Sequence, residues 1–190
     1  MFSYQEIIDK YYPAGTRLRD IYMCHCRSVA DKALAIAREH HLDLDPADIE
    51  AAAMLHDIGI TLTDAAGIDC HGTLPYMAHG RAGADLLRHE GVPETYARVA
   101  ERHTGTGLTP EDVERMRPAL TPDRNYMPQT LLERLICYAD KFYSKNGDML
   151  EKPLERVRAS LAKFGTPALE RFERLHGEFG TVNNCLQTPN

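Results

Sequence analysis

Apolar residues recur every three to four positions along most of the chain, and this spacing is typical of amphipathic helices. Helix starts are clearly marked, because Asp45-Pro46 and Thr109-Pro110 each place an N-cap side chain before a proline that suits the first helical turn. Gly91 follows another apolar stretch as a helix end. The pattern predicts nine helices, over about 3–11, 16–41, 46–58, 76–89, 93–103, 110–116, 128–145, 152–164 and 167–178.

Strands are expected to be few, because no segment alternates apolar and polar residues over the length of a strand. The longest irregular stretch covers about 59–75, and a loop of that length in a compact domain is more often functional than idle. The amphipathic helices after about residue 150 are expected either to pack on the preceding helices or to form a partner surface. We predict an all-α fold, a single domain over 1–190 with a helical extension at about 150–180, and a loose tail from Gly180 to Asn190.

The composition is that of a soluble globular protein, with 190 residues, of which 43% are hydrophobic and 26% charged. No apolar run is long enough to span a membrane and no export signal is recognisable, so we expect a cytoplasmic protein without membrane contact. The odd number of cysteines, five, favours free thiols in a reducing compartment. The formal net charge of −6 argues against double-stranded nucleic acid as a partner, because such binding depends on a basic surface.

Five of the predicted helices turn a histidine or an aspartate toward the interior. His25 continues the apolar row of Ile21 and Val29, and Asp140 follows Ile136 at the same interval of four. The other inward positions are His56, Asp57, His79 and His103. Because a buried carboxylate without a partner is costly, cations between these groups explain the pattern, with a metal-free polar core as the alternative. Nitrogen and oxygen donors without thiolate suit Fe, Mn, Zn, Ni or Co.

The motif His56-Asp57-Ile58-Gly59 resembles the HDIG form of the HD superfamily of metal-dependent phosphohydrolases. That superfamily is described by a histidine, a His-Asp doublet and a distal aspartate on successive helices, with two further histidines in its binuclear members. The positions that match in order are His25, His56, Asp57, His79, His103 and Asp140. The resemblance covers about residues 17–145 and implies a helical bundle as the core of the fold.

The same resemblance implies two divalent metal ions and assigns their ligands. The residues expected around the first ion are His25, His56, Asp57 and Asp140. Asp57 is expected to bridge to a second ion, which His79 and His103 also hold. Since paired ions activate water for attack on phosphorus, the resemblance makes Asp57, His79 and His103 catalytic, and we add Lys141 to them.

Phosphate requires positive groups besides the metal ions, and several lie near the motif in sequence. Lys141 follows the distal aspartate directly, and Lys145 lies four residues further on. Arg81 and Arg102 neighbour the two additional histidines, and His71 lies in the stretch after the HDIG motif. We predict that these five residues contact the substrate, with solvated surface positions as the alternative for each.

The function predicted from these residues is hydrolysis of a phosphate ester or anhydride in a nucleotide or another small phosphorylated metabolite. No Gly-Tyr-Pro triplet follows His103, which argues against a cyclic-dinucleotide substrate, whereas diadenosine tetraphosphate hydrolases share the ligand order. The alternative with the same six ligands is a mixed-valence di-iron oxygenase that cleaves a C–C or C–P bond. A non-catalytic ligand-sensing module is the third interpretation, and a homo-oligomer is compatible with all three.

Overall fold

The computed structural model describes residues 3–180, and nearly all of its regular structure is helical, which confirms the predicted all-α class. The helices are α1 (Tyr4–Tyr11), α2 (Arg17–Glu39), α3 (Pro46–Leu55), α4 (His79–His89), α5 (Glu94–Arg102), α6 (Pro110–Arg115), α7 (Leu131–Asp140), α8 (Leu154–Ala162) and α9 (Thr166–Phe179). The tail predicted to be loose beyond Gly180 lies outside the described residues, as does Cys185. Within residues 3–180, no helix combines the length and the apolar character that crossing a membrane requires.

Side-chain caps define the starts of five helices. The caps are Ser3 for α1, Thr16 for α2, Asp45 for α3, Thr109 for α6 and Thr130 for α7. Each cap oxygen accepts a hydrogen bond from a backbone N–H of the first helical turn, which has no partner within the helix. The helix starts predicted from Asp45 and Thr109 are therefore confirmed.

Two helices end earlier than the sequence pattern predicts. The predicted helix over 46–58 ends at Leu55, and the Ile60 N–H then bonds to the Asp57 carbonyl in a 3₁₀ turn. The predicted helix over 128–145 ends at Asp140, whose carbonyl accepts from the Tyr143 N–H. Because these bonds span three residues instead of four, they tighten the backbone and turn it away from the helix axis. The two longer helices predicted from the sequence are therefore wrong. Both observed helices end next to predicted metal ligands.

The stretch 59–75, predicted as irregular, contains a small three-stranded sheet and short 3₁₀ turns. Its strands are β1 (Thr63–Ala65), β2 (Cys70–His71) and β3 (Leu74–Pro75). β1 is central, antiparallel to β2 with Asp64 opposite His71, and parallel to β3. Strands of two or three residues are too short to show the alternation by which a sequence predicts them.

A large hydrophobic cluster joins α2, α3, α5 and α7 to the two C-terminal helices. Val157 of α8 and Phe172 of α9 are buried in it, and the Tyr138 ring of α7 stacks on Phe172 with the centroids 5.7 Å apart. Of the two arrangements expected for the helices after residue 150, the structure therefore shows the one in which they pack on the preceding helices.

Candidate metal centre

Six buried side chains meet where α2, α7 and the ends of α3, α4 and α5 converge. They are His25, His56, Asp57, His79, His103 and Asp140, the six positions that the sequence singles out. Four of them form a first group, in which His25 Nε2 lies 3.0 Å from both Asp57 Oδ2 and Asp140 Oδ1. His56 Nε2 lies 3.1 Å from the same Asp57 oxygen. Two imidazoles and two carboxylates this close together can hold a divalent ion.

Asp57 also belongs to a second group, which it forms with His79 and His103. Asp57 Oδ1 lies 3.6 Å from His79 Nε2 and 3.4 Å from His103 Nε2. The two Nε2 atoms of these histidines are 3.1 Å apart. The Asp57 carboxylate therefore lies between the groups and presents one oxygen to each, as a ligand shared by two ions must do.

Backbone carbonyls orient three of the four imidazoles. In each case Nδ1 bonds to the carbonyl three residues earlier: His56 to Ala53 at 2.6 Å, His79 to Tyr76 at 2.7 Å and His103 to Ala100 at 2.8 Å. The carbonyls of the last turn of α3 and α5 are free to accept these bonds, because they have no partner within their helix. Since a carbonyl only accepts, Nδ1 carries a ring proton, and Nε2 faces the centre.

The second group fits a cation. Burial, with His103 adding to it, lowers the pKa of His79 to about 3, and burial lowers the pKa of His103 as well. Both rings are therefore neutral at pH 7, and their two lone pairs face each other at 3.1 Å. Asp57 Oδ1, which faces these two rings, accepts no hydrogen bond of normal geometry from the described residues. A divalent ion between Oδ1 and the two Nε2 atoms would satisfy all three, and the donor set of nitrogen and oxygen suits it.

Two lysines keep the carboxylates of the first group ionised. Burial disfavours the charged form of Asp57, yet Lys145 holds its pKa well below the usual range, with Nζ 2.6 Å from Oδ2. Asp140 is equally buried, and Lys141, with Nζ 2.6 Å from Oδ2, lowers its pKa in the same way. An ionised carboxylate is the form that coordinates a cation.

Gly59, the last residue of the HDIG motif, allows the backbone after Asp57 to pack directly against α4. A Cβ atom at Gly59 would lie 2.2 Å from the His79 carbonyl oxygen and 2.4 Å from the Gly83 nitrogen. Real Cβ atoms do not approach backbone atoms so closely. The absence of a side chain at this position therefore lets α4 carry His79 to the Asp57 carboxylate.

Of the five predicted substrate contacts, the structure brings two to the centre. The Lys145 ammonium contacts Asp57, as described above, although Lys145 lies beyond the end of α7 and not on that helix as predicted. Lys141 contacts Asp140 and also donates to the His103 carbonyl at 3.1 Å. These contacts indicate that Lys141 positions Asp140 and His103, and its predicted catalytic and substrate-binding roles stay predictions.

Arg81 and His71 are bound away from the centre. The Arg81 guanidinium donates to the Ala119 carbonyl at 3.1 Å. His71 lies on β2 with 70% of its side chain exposed, and it bonds to Asp69 at 3.2 Å. Their predicted substrate contacts stay predictions, because the contacts that the structure shows for both side chains are with residues outside the cluster of six.

Arg102 forms structural contacts, and its predicted substrate contact stays a prediction. Its guanidinium forms a buried ion pair with Glu133 of α7 at 3.0 Å and donates to the Asn125 carbonyl at 3.1 Å. The neighbouring ligand His103 follows Arg102 by one residue, so the two side chains leave the helix end about 100° apart. The ion pair ties the end of α5 to the start of α7, which carries Asp140.

Arg102→Gln is expected to lower the free energy of unfolding by about 3 kcal/mol, because it leaves the buried Glu133 carboxylate without its charged partner. Urea titration followed by circular dichroism measures the change. The KM for a hydrolysed substrate should stay at the wild-type value. A raised KM with unchanged stability would instead support the substrate contact that the sequence predicts for Arg102.

Tyr76 also contacts the centre, although the sequence pattern does not single it out. Its carbonyl orients His79, and its ring stacks on the His79 ring with the centroids 4.8 Å apart and an interplanar angle of 28°. The sequence signal for this role is that Tyr76 lies three residues before His79. That position indicates a contact with the Tyr76 carbonyl only when the His79 ring is known to turn back toward the preceding residues.

Comparison with protein families gives a match to the HD domain over residues 22–144. That span includes all six clustered side chains. An uncharacterised protein of Methanocaldococcus jannaschii is 30% identical over 168 residues, which cover 86% of this chain and 88% of that protein. The similarity therefore extends over nearly the full length of that relative.

Two curated relatives are tRNA (cytidine(56)-2'-O)-methyltransferases. The one from Thermoplasma volcanium is 34% identical over 179 residues, which cover 94% of this chain and 47% of the relative. The one from Picrophilus torridus is 32% identical over 170 residues, which cover 86% of this chain and 42% of the relative. The chain thus spans less than half of the length of both methyltransferases.

Two similar solved structures are crystal structures of the HD domain of the L. monocytogenes phosphodiesterase PgpH. The first has a TM-score of 0.54 and 17% identity, and covers 92% of this chain and 95% of that chain. The second, in complex with cyclic-di-AMP, has a TM-score of 0.56 and 17% identity, and covers 95% of this chain and 85% of that chain. At this identity the likeness shows a shared fold.

Proposed function

This chain belongs to the HD domain family, and from that membership and the geometry of the centre we propose that it is a metal-dependent phosphohydrolase. Its proposed substrate is a phosphate ester or anhydride of a nucleotide or another small phosphorylated metabolite. The phosphodiesterase PgpH, which shares the fold, binds cyclic-di-AMP, so this compound belongs among the candidates despite the missing Gly-Tyr-Pro triplet. The methyltransferase names describe proteins more than twice as long as the matched part.

The single observation that carries the proposal is the Asp57 carboxylate, which offers Oδ2 to the first group and Oδ1 to the second. A carboxylate shared in this way is suited to two ions held side by side, an arrangement that serves phosphate hydrolysis. We propose the first ion in His25, His56, Asp57 and Asp140, and the second in Asp57, His79 and His103. Such ions, when bound, lower the pKa of water and polarise phosphate oxygens.

The residues of the chain prepare the centre for this chemistry. The neutral imidazoles of His79 and His103 present lone pairs at Nε2, so no proton has to leave before an ion binds. Lys141 contacts Asp140 and donates to the His103 carbonyl, and Lys145, with its ammonium against Asp57, brings a positive charge to the edge of the centre where a phosphate would bind. The six ligand side chains are buried, so their electrostatic interactions are screened little by water.

His103→Ala is expected to remove one of the two ions and leave the other. The substitution deletes a nitrogen that belongs to the second group alone, so the four residues of the first group keep their geometry. Metal content per chain, measured by mass spectrometry after reconstitution with Mn²⁺, should fall from two ions to one. His71→Ala is the matched control, because that histidine is exposed and should leave the count at two. If His103→Ala lost both ions, or neither, His103 would not be a ligand of the second ion alone.

The proposal is tested by incubation with a panel of phosphorylated compounds and analysis of the products by chromatography. The protein is reconstituted separately with Fe²⁺, Mn²⁺, Zn²⁺, Ni²⁺ and Co²⁺, since the donor set suits all of them. The panel contains nucleoside mono-, di- and triphosphates, dinucleoside polyphosphates, cyclic-di-AMP and sugar phosphates. Metal-dependent hydrolysis of one class, with no release by the metal-free protein, is the expected result. A fully loaded protein that hydrolyses no compound of the panel would contradict the proposal.

A further inference from the structure

A cavity of about 370 Å³ opens at the end of the centre that Lys145 occupies. It lies between the segment that follows β1, the 3₁₀ turn ahead of α4, and the chain after α7. The polar residues that line it are Tyr76, Tyr143, Ser144, Lys145 and Asn146. Lys145 is the charged residue among the described residues that line it, and its ammonium is shared with the Asp57 carboxylate behind it. Such a lining favours an anion.

Two residues that line the cavity contact the two groups of the centre. Lys145 Nζ lies 2.6 Å from Asp57 Oδ2, which faces the first group. The Tyr76 ring, on the other wall, stacks on His79 of the second group. A molecule in this cavity would therefore lie against the ion positions proposed above, with Lys145 and Tyr76 on either side.

The hydroxyl groups of the two tyrosines in the lining are used differently. The Tyr143 hydroxyl donates to Glu151 Oε2 at 3.0 Å, on the outside of the cavity. Tyr76 and Lys145 line the cavity together; burial raises the pKa of the Tyr76 hydroxyl, and the nearby Lys145 ammonium opposes that rise. A hydroxyl and an ammonium side by side are both donors, and two such donors suit the same acceptor oxygens.

We infer that this cavity is the phosphate subsite of the enzyme, in which the Tyr76 hydroxyl and the Lys145 ammonium bind the phosphate group of the substrate; this inference rests on the proposed hydrolase function. Tyr76 thereby has two tasks, since its carbonyl orients His79 and its hydroxyl contacts the substrate. The phosphate carries its charge on several oxygens, so one can face Lys145 and Tyr76 while others remain for the ions.

The test measures binding of inorganic phosphate to the Mn²⁺-loaded protein by isothermal titration calorimetry. Tyr76→Phe removes the hydroxyl but keeps the ring on His79 and the carbonyl that orients it, so metal content should remain at the wild-type value. Phosphate should bind about tenfold more weakly or worse, because a hydrogen bond to a charged group is lost. Tyr143→Phe is the matched control: it lines the same cavity, and its phosphate affinity should equal that of the wild type.

Unchanged phosphate affinity in Tyr76→Phe would overturn the inference, and so would equal weakening in Tyr143→Phe. Loss of metal from Tyr76→Phe would also overturn it, since the residue would then act through His79. Substrate hydrolysis by the wild type, measured on the same preparation, distinguishes failure of the subsite from failure of the proposed hydrolase function. Turnover together with unaltered phosphate affinity in Tyr76→Phe refutes the subsite and leaves the hydrolase, whereas absence of turnover refutes the hydrolase itself.

Discussion

Asp57→Asn is expected to abolish metal binding at both positions, so that the metal content falls from two ions per chain to the background of the buffer. The reason is that each carboxylate oxygen of Asp57 serves a different group of ligands. An amide has one acceptor oxygen, and its NH₂ would point donor hydrogens at the ion position on the other side. Mass spectrometry of protein reconstituted with Mn²⁺ gives the count.

Asp64→Asn is the matched control for this substitution. Asp64 lies on β1, seven residues further along the chain, and is exposed to solvent. It should keep two ions and the wild-type free energy of unfolding. If Asp57→Asn retained two ions, the carboxylate would not bridge them, and the proposed function would lose its main support.

Gly59→Ala is expected to destabilise the protein by about 3 kcal/mol or more, because the new methyl group would collide with backbone atoms that cannot move aside. The atoms concerned are the His79 carbonyl oxygen and the nitrogen of Gly83, both within α4. Relief of the collision would push α4 outward and take His79 away from Asp57. Urea titration gives the loss of stability, and metal content reports the displacement of the second group.

Gly67→Ala is the control for Gly59→Ala. Its Cβ would meet no atom closer than the Asn146 side-chain oxygen at 3.8 Å, which is ordinary contact. The free energy of unfolding should change by less than about 0.5 kcal/mol. A Gly59→Ala protein as stable as Gly67→Ala would show that α4 does not depend on the close backbone approach.

The existence of the helices could be predicted because their signals are local. Apolar spacing and caps such as Asp45 and Thr109 act within one or two turns, and the structure uses them as the sequence indicates. The ends of α3 and α7 could not be predicted in this way. The change to 3₁₀ bonding after each of them depends on packing against α4 and on the centre, which lie far away in sequence.

The clustering of the six residues could be predicted because inward-facing positions coincide with a motif that is spaced from His25 to Asp140. The contacts of the long charged side chains could not, since proximity in sequence says little about where such a side chain reaches. Arg102 is adjacent to a ligand, yet it pairs with Glu133 on another helix. Lys145 reaches Asp57 through a turn that the helical pattern does not show.

We propose that this centre directs water to phosphorus, and isotopic labelling tests that step most directly. The compound hydrolysed in the panel is incubated with the metal-loaded protein in H₂¹⁸O, and the phosphorylated products are analysed by mass spectrometry while dissolved oxygen is recorded. We predict one ¹⁸O atom from water on phosphorus for each P–O bond cleaved, no consumption of dioxygen, and no product with Asp57→Asn. Products without ¹⁸O on phosphorus, or cleavage that consumes dioxygen in proportion to substrate, would contradict this mechanism and favour oxygenase chemistry on the same six residues.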